Sequence, residues 1–229
     1  MVDTKLLNKL NTFVLTDAEK IAKKHHLSLQ QVYAADNFAV ASDGMRVAVI
    51  YNTEDHELNH TFGNDMDMAI SFLKANKHSR YEKHQVTFIR KDLIDVLKEQ
   101  IKFIKDKAKA EHKITIHSNE IHTRLNINPD TFKMEIYSIT KYGYNKGNRC
   151  EDSYYKIRSE NNTLEIDFFQ DRYYIKENIT IAFTTQFLLD FLNFFTGCRE
   201  LTIYTDGDEQ HEITCEVKDR EQLLLPVRI

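Results

Sequence analysis

The sequence predicts an α+β chain made of two similar units, each combining antiparallel strands with helices on one face. Three observations predict it. A strand-to-helix pattern occurs twice at a fixed spacing, hairpin turn signals accompany both copies, and only six Gly and two Pro interrupt regular structure. The 14 Phe and 11 Tyr within a 41% hydrophobic composition supply core material and argue against disorder. A length of 229 residues accommodates one large domain or two of ordinary size.

The repeated pattern begins at 86–97, where Val86, Phe88 and their neighbours alternate before Leu93, Val96 and Leu97 take up helical spacing. Ninety-five positions on (181 − 86, 188 − 93), Ile181 and Phe183 again alternate and Leu188, Leu189 and Leu192 again turn helical. The first helix is predicted over about 92–110 and the second over 185–196. Each is followed by a predicted hairpin, 113–117 with 121–127 about Ser118-Asn119, and 200–204 with 212–217 about Thr205-Asp206-Gly207. Each is also preceded by one, 38–41 with 45–51 about Ser42-Asp43-Gly44, and 154–158 with 164–169 about Asn161-Asn162. Pro129 lies between the copies, so the boundary is placed near Asn128, giving units 1–127 and 128–229.

A formal charge of −4 and a pI near 6.2 give the whole molecule no attraction to nucleic acid, so any DNA contact needs a local basic surface. The long helix offers one: Lys98, Lys102, Lys105 and Lys109 recur on one face, with Lys91 ahead of them. Such a column can track phosphates without reading bases. It can equally be a solvated face whose lysines pair with Asp95, Glu99 and Asp106 at helical spacing. An N-terminal helix over 4–26 presents Lys20, Lys23 and Lys24 with the same two readings, while the second helix holds Asp190 and no Lys or Arg.

Enzyme motifs are scarce. The chain has no phosphate-binding glycine loop, no Gly-x-Ser-x-Gly and no His-Glu-x-x-His. Cys150, Cys198 and Cys215 lack metal or redox spacing. His56, Glu57, His60, Asp65 and Asp67 form the one acidic, histidine-rich stretch, read either as a polar outer connection or as the metal site of a nuclease. The chain is expected not to be an enzyme and to need no metal or cofactor. Its first residues lack a charged-then-apolar leader and no apolar run approaches the roughly 20 residues of a membrane span, so a cytoplasmic location is expected.

Four segments carry a resemblance. Residues 41–49, with Ser42-Asp43-Gly44-Met45-Arg46, resemble the Thr-Asp-Gly-His-Arg-Leu-Ala segment in the middle domain of bacterial DNA polymerase III β subunits, the sliding clamps. Residues 86–97 resemble the strand-to-helix passage of that domain, with Ile89 where proline is usual. Residues 181–192 are similar to the corresponding passage of the C-terminal domain, and Leu225-Pro226-Val227-Arg228-Ile229 to the Met-Pro-Met-Arg-Leu that ends those proteins. Residues 131–149 align poorly.

The resemblance implies the DNA clamp fold, with sheets outside and helices lining a ring around duplex DNA. It implies a processivity factor that tethers a DNA polymerase, and meets its clamp loader, through a hydrophobic peptide pocket. Carried over, the pocket wall is Ser42, Gly44, Met45, Arg46 and Val47 facing Leu223, Leu225, Pro226, Val227 and Arg228, while 223–227 also reads as a core strand. Met45 stands where the family has His. The family's first domain has no counterpart here, so a ring of six domains would require a homotrimer. The alternative is a clamp-like competitor or adaptor that keeps the pocket without encircling DNA.

Overall fold

The structure, a computed structural model, describes residues 8–14, 32–35, 38–51, 84–144, 153–169, 178–208 and 211–228. Its centre is the 95-residue repeat. Strand β4 (His84–Ile89) runs into helix α1 (Arg90–His112), and strand β10 (Ile179–Thr184) runs into helix α2 (Thr185–Phe194), so strand and helix starts recur at the predicted offset. Alternation makes β4 a strand with Val86 and Phe88 facing the core. In α1, Leu93, Leu97, Ile104 and Ala108 form the buried stripe, joined by Gln100. Helix α1 ends without glycine. Lys113 takes a left-handed φ of 54° and its N–H reaches the Lys109 carbonyl, while Ile114 N–H reaches that of Ala108.

The two copies interlock. Helix α1 leads to β5 (His122–Asn128), β6 (Lys133–Tyr144) and β7 (Ser153–Arg158), which form a second sheet with β10 in the order β10-β5-β6-β7. Helix α2 leads to β11 (Glu200–Thr205), β12 (Ile213–Val217) and β13 (Arg220–Leu224), which join β4 in the other sheet. Each strand-to-helix corner is pinned by the residue that leads into the strand following the other helix: Arg90 N–H donates to the Arg199 carbonyl at 2.9 Å, and Thr185 N–H to that of Ile121 at 2.8 Å. The other sheet also holds β1 (Tyr33–Ala35), β2 (Phe38–Ser42), β3 (Arg46–Tyr51) and β9 (Asp167–Phe169), in the order β1-β2-β3-β13-β12-β11-β4-β9. Sequence positions from both proposed units therefore share both sheets. The boundary drawn near Asn128 falls in a tight hairpin, where Asn128 pairs with Lys133.

Three local expectations are corrected. Residues 113–117 are not a strand of a hairpin; they lead into a 3-10 turn at Ser118–Glu120, and β5 pairs with β10 and β6 instead. Residues 154–158 and 164–169 do not pair with each other. Strands β7 and β8 (Asn162–Glu165) both lie along β6, where Ile139↔Arg158 gives way to Ile136↔Asn162, three residues against four. That is one strand with a bulge at 159–161. Gln100 fills it, donating to the Ile136 carbonyl (3.0 Å) and Asn162 Oδ1 (2.6 Å) and accepting from Ser138 Oγ (2.7 Å). Near the N-terminus, residues 8–10 are helical and Asn11–Phe13 form a 3-10 turn that ends at an extended Val14, so the helix predicted over 4–26 is interrupted. The Thr12 carbonyl bonds to Arg46 rather than onward along a helix. The poorly aligning 131–149 contains β6 as far as it is described.

One core runs between the sheets and both helices, including Val86, Leu97, Leu125, Ile136, Ile181, Phe183, Leu188, Phe191, Leu201, Ile203 and Leu224. Phe13 packs edge-on against Phe194 (5.4 Å between centroids), fixing the N-terminal segment over α2.

Candidate partner-binding site and lysine face

The turn between β2 and β3 is set by its own side chains. Asp43 Oδ1 accepts from the N–H groups of Met45 (2.9 Å) and Arg46 (3.0 Å), Ser42 Oγ accepts from Gly44 N–H, and Gly44 takes a φ of 88° that a side chain would resist. Strand β13 pairs beside β3 with Leu223 opposite Val47 and Leu224 opposite Arg46. The chain then continues as a strap: Leu225 N–H donates to the Met45 carbonyl (3.0 Å) and Val227 N–H to that of Ala182 in β10 (2.8 Å). The two segments named from the sequence, 42–47 and 223–228, are thus hydrogen-bonded neighbours.

Strand alternation sorts these residues onto two faces. Ala39, Ala41, Ala48, Ile50 and Leu224 enter the core under the helices. Val40, Val47, Val49 and Leu223 form a separate apolar cluster on the opposite face, bordered by half-buried Phe38, Tyr51 and Leu225. Met45, Pro226 and Val227 are also half-buried, and Gly44 and Arg228 are exposed. This places an apolar floor, itself buried, beside the partly open Met45 and a strap with a fixed backbone. Phe38, Val40, Val49, Tyr51 and Ala182 were not singled out from sequence, though the period-two pattern of 38–51 puts Val49 and Tyr51 on the face of Val47.

Arg46 does not join that face, and its assignment to the pocket wall is corrected. It is 4% exposed. Its guanidinium pairs with Asp43 (2.7 and 2.9 Å) and Asp190 (2.6 Å), donates to the Thr12 carbonyl (2.9 Å), and stacks on Phe187 (4.1 Å) and Phe13 (5.0 Å). An arginine so committed locks the turn to α2 and the N-terminal segment. Ser42, 2% exposed, is buried too, but it stands opposite Val47 and so lies on the face of Val40 and Val47.

On α1, Lys91, Lys98, Lys102 and Lys109 are exposed and share one column; Lys105 is half-buried and donates to Ser118 Oγ (2.7 Å). At about 100° per residue, Asp92, Asp95, Glu99 and Asp106 fall in a second column some 70° away. Among the described residues no ion pair joins these four lysines to those acids; Glu111 on α1 instead meets Lys107 at 3.9 Å and His112 at 3.6 Å. Helix α2 contributes no cation and is largely buried. Lys20, Lys23, Lys24 and the 56–67 stretch lie outside the described residues. No group of three or more potential metal ligands occurs among the described residues, and no described helix is long and apolar enough to cross a membrane.

Two interlocked copies of strand, helix and three strands, with their helices packed together on one face of the sheets, define a DNA-clamp type of α+β fold. Solved bacterial sliding clamps share it along essentially the whole chain. The Eubacterium rectale DNA polymerase III β subunit matches at a TM-score of 0.62 and 14% identity over 98% of this chain and 63% of its own. The Caulobacter crescentus clamp matches at 0.60 and 13% over 100% and 64%, and that of Thermotoga maritima at 0.56 and 14% over 100% and 65%. The chain therefore has the sliding-clamp fold and spans somewhat less than two-thirds of the length of these clamps. No sequence-family description and no curated protein matches it.

Proposed function

We propose that this chain is a processivity clamp, a binding protein rather than an enzyme. It encircles duplex DNA as a homotrimeric ring and tethers a DNA polymerase, and its clamp loader, through a short apolar peptide. The observation that carries the reading is the meeting of 42–47 with 223–228, two segments far apart in sequence, over the Val40–Val47–Val49–Leu223 cluster of a clamp fold. A peptide anchor of Leu or Phe would pack between Met45, Leu225 and that floor, and the strap would border its backbone. The Caulobacter clamp, similar in fold, carries polyethylene glycol at its proposed β-motif tethering region. The column of Lys91, Lys98, Lys102 and Lys109, without ion pairs among the described residues, supports the DNA role. A ring holds DNA topologically, so a modest phosphate-facing lining suffices and base contacts would impede sliding. The setting is the cytoplasm.

A second reading, a competitor or adaptor that binds the same peptides without encircling DNA, is favoured by the absence of Lys and Arg from α2. Both readings share the pocket. Fluorescence anisotropy with a short Leu-Phe peptide should therefore show binding that Met45→Asp with Leu225→Asp weakens by roughly thirtyfold or more, as for a hot-spot pair. Unchanged affinity in a folded double variant would refute the pocket.

A further inference from the structure

The five-stranded sheet has a second face, turned away from α1 and α2, and its chemistry is unlike the rest of this acidic chain. Thr123, Leu125, Ile136 and Ser138 point toward the helices, so the alternate positions of β5, β6 and β7 point outward. Those positions bring together Arg124, Tyr137, Ile139, Lys141, Lys156 and Arg158 around a cleft of about 230 Å³. Registers place Arg124 opposite Tyr137, Ile139 opposite Arg158, and Lys141 directly opposite Lys156. Like charges opposed across a ladder weaken a sheet. The Arg158 guanidinium lies over the Tyr137 ring at 3.9 Å and that of Arg124 at 6.0 Å. His122, opposite Ile139, has its pKa lowered first by burial and further by the charge of Lys141, so the field of the patch reaches inside it. Among the described residues, the cleft lining holds four cations and no carboxylate on a molecule whose formal charge is −4.

We propose that this face is a docking surface for an acidic peptide segment of a partner protein, one that sets carboxylates on both sides of a single apolar side chain. Guanidinium groups receive carboxylates through paired hydrogen bonds, and Arg158, stacked on Tyr137 and held on one side by Asn161 Oδ1 (2.7 Å), is pre-positioned to do so. A carboxylate between Lys141 and Lys156 also relieves their repulsion. Tyr137 favours a peptide over a bare oxyanion: it is half-buried amid the cations and offers apolar surface that a side chain would cover and an inorganic anion would not, while Ile139 beside it is already buried. Duplex DNA fits less well. The cluster spans about 10 Å across the strands and about 14 Å along β6, an isolated patch rather than a track, and it lies on the face opposite the α1 lysines.

The test uses the full chain and a short labelled peptide with Asp and Glu flanking one Leu, beside its Asn/Gln counterpart. At low salt the acidic peptide should bind at least about tenfold more tightly than the amide version, and the preference should shrink as salt screens it. Lys141→Ala with Lys156→Ala should weaken it by roughly tenfold while leaving binding of the Leu-Phe peptide intact. The latter readout separates failure of this proposal from failure of the clamp reading. Equal binding of both peptides, or unchanged binding in the double variant, would overturn the proposal. So would displacement of the peptide by inorganic triphosphate, which would make the cleft a simple anion site, or by duplex DNA acting through the same four residues. A variant that unfolds at higher urea with no change in peptide affinity would show that the charges serve only to keep an edge strand solvated.

Discussion

Arg46 offers the sharpest mutational test, because sequence and geometry give it different jobs. As a pocket residue it would be partly open and dispensable for folding. In the structure it is 4% exposed and holds Asp43, Asp190 and the Thr12 carbonyl while lying on two phenylalanine rings. Arg46→Met keeps most of the volume and removes the charge. Breaking a buried ion pair costs about 3–5 kcal/mol, since the remaining carboxylate is left buried without compensation. Here the cost should sit near the lower end, roughly 3–4 kcal/mol by the same reasoning. Asp43 keeps its two backbone N–H donors and Asp190 keeps Gln186 Nε2 at 2.9 Å. For a chain of this size that corresponds to a melting temperature lower by about 6–16 °C. Urea unfolding followed by far-UV circular dichroism measures it, and Arg46→Lys, which keeps the charge but not the forked geometry, should fall between the two. A loss below about 1 kcal/mol for Arg46→Met, the range of an exposed arginine, would refute the internal role.

Two further predictions concern the helix face and the histidines. Replacing Lys98, Lys102 and Lys109 with alanine should lower the salt dependence of duplex DNA binding by roughly one per lysine, with stability changed by less than about 0.5 kcal/mol each; an unaltered salt slope would remove α1 from the DNA surface. His84 and His122 both have pKa values lowered, chiefly by burial. Below the ordinary histidine value of about 6.5 the unfolded chain takes up protons that these side chains resist when folded, so stability falls as pH drops from neutrality through that value. His211 is raised by its hydrogen bond to Asp206, which acts in the opposite sense but at an exposed site, where it contributes little. The urea midpoint should therefore decline from pH 7 toward pH 5, less so in His122→Gln; a midpoint that is flat or rises would contradict this assignment.

Much of the fold was legible because its signals are local. Alternation at Val86 and Phe88, helical spacing from Leu93, and the Asp43-Gly44 turn each act within a few residues, and the repeat exposes them twice. What the spacing does not carry is which strand pairs with which. The strand after α1 closes on β10 and the strand after α2 on β4, an exchange written in contacts such as Thr185 N–H to Ile121 that no window of sequence contains. The bulge at 159–161 was read as a turn because Asn161-Asn162 has turn chemistry; Gln100, some sixty residues away, satisfies it instead. At the candidate site, the two segments named from the family likeness, 42–47 and 223–228, are hydrogen-bonded neighbours. The face of each side chain followed from parity, and the ion pair of Arg46 with Asp190, 144 residues apart, was visible only in the folded chain. The basic outer face was missed because its four cations are spread over three strands, and none forms a local run.

Topological retention is the sharpest test of the proposed closure of the chain around DNA. The protein is incubated with a nicked circular duplex, with the partner loader if loading requires it, and then passed through gel filtration at a salt concentration that screens surface contacts. A closed ring should co-elute with the circle, with a protein mass near three times 27.0 kDa per ring, and leave the DNA once the circle is cut at one site. Equal retention on circular and linear DNA, or a monomer that leaves both, would contradict it.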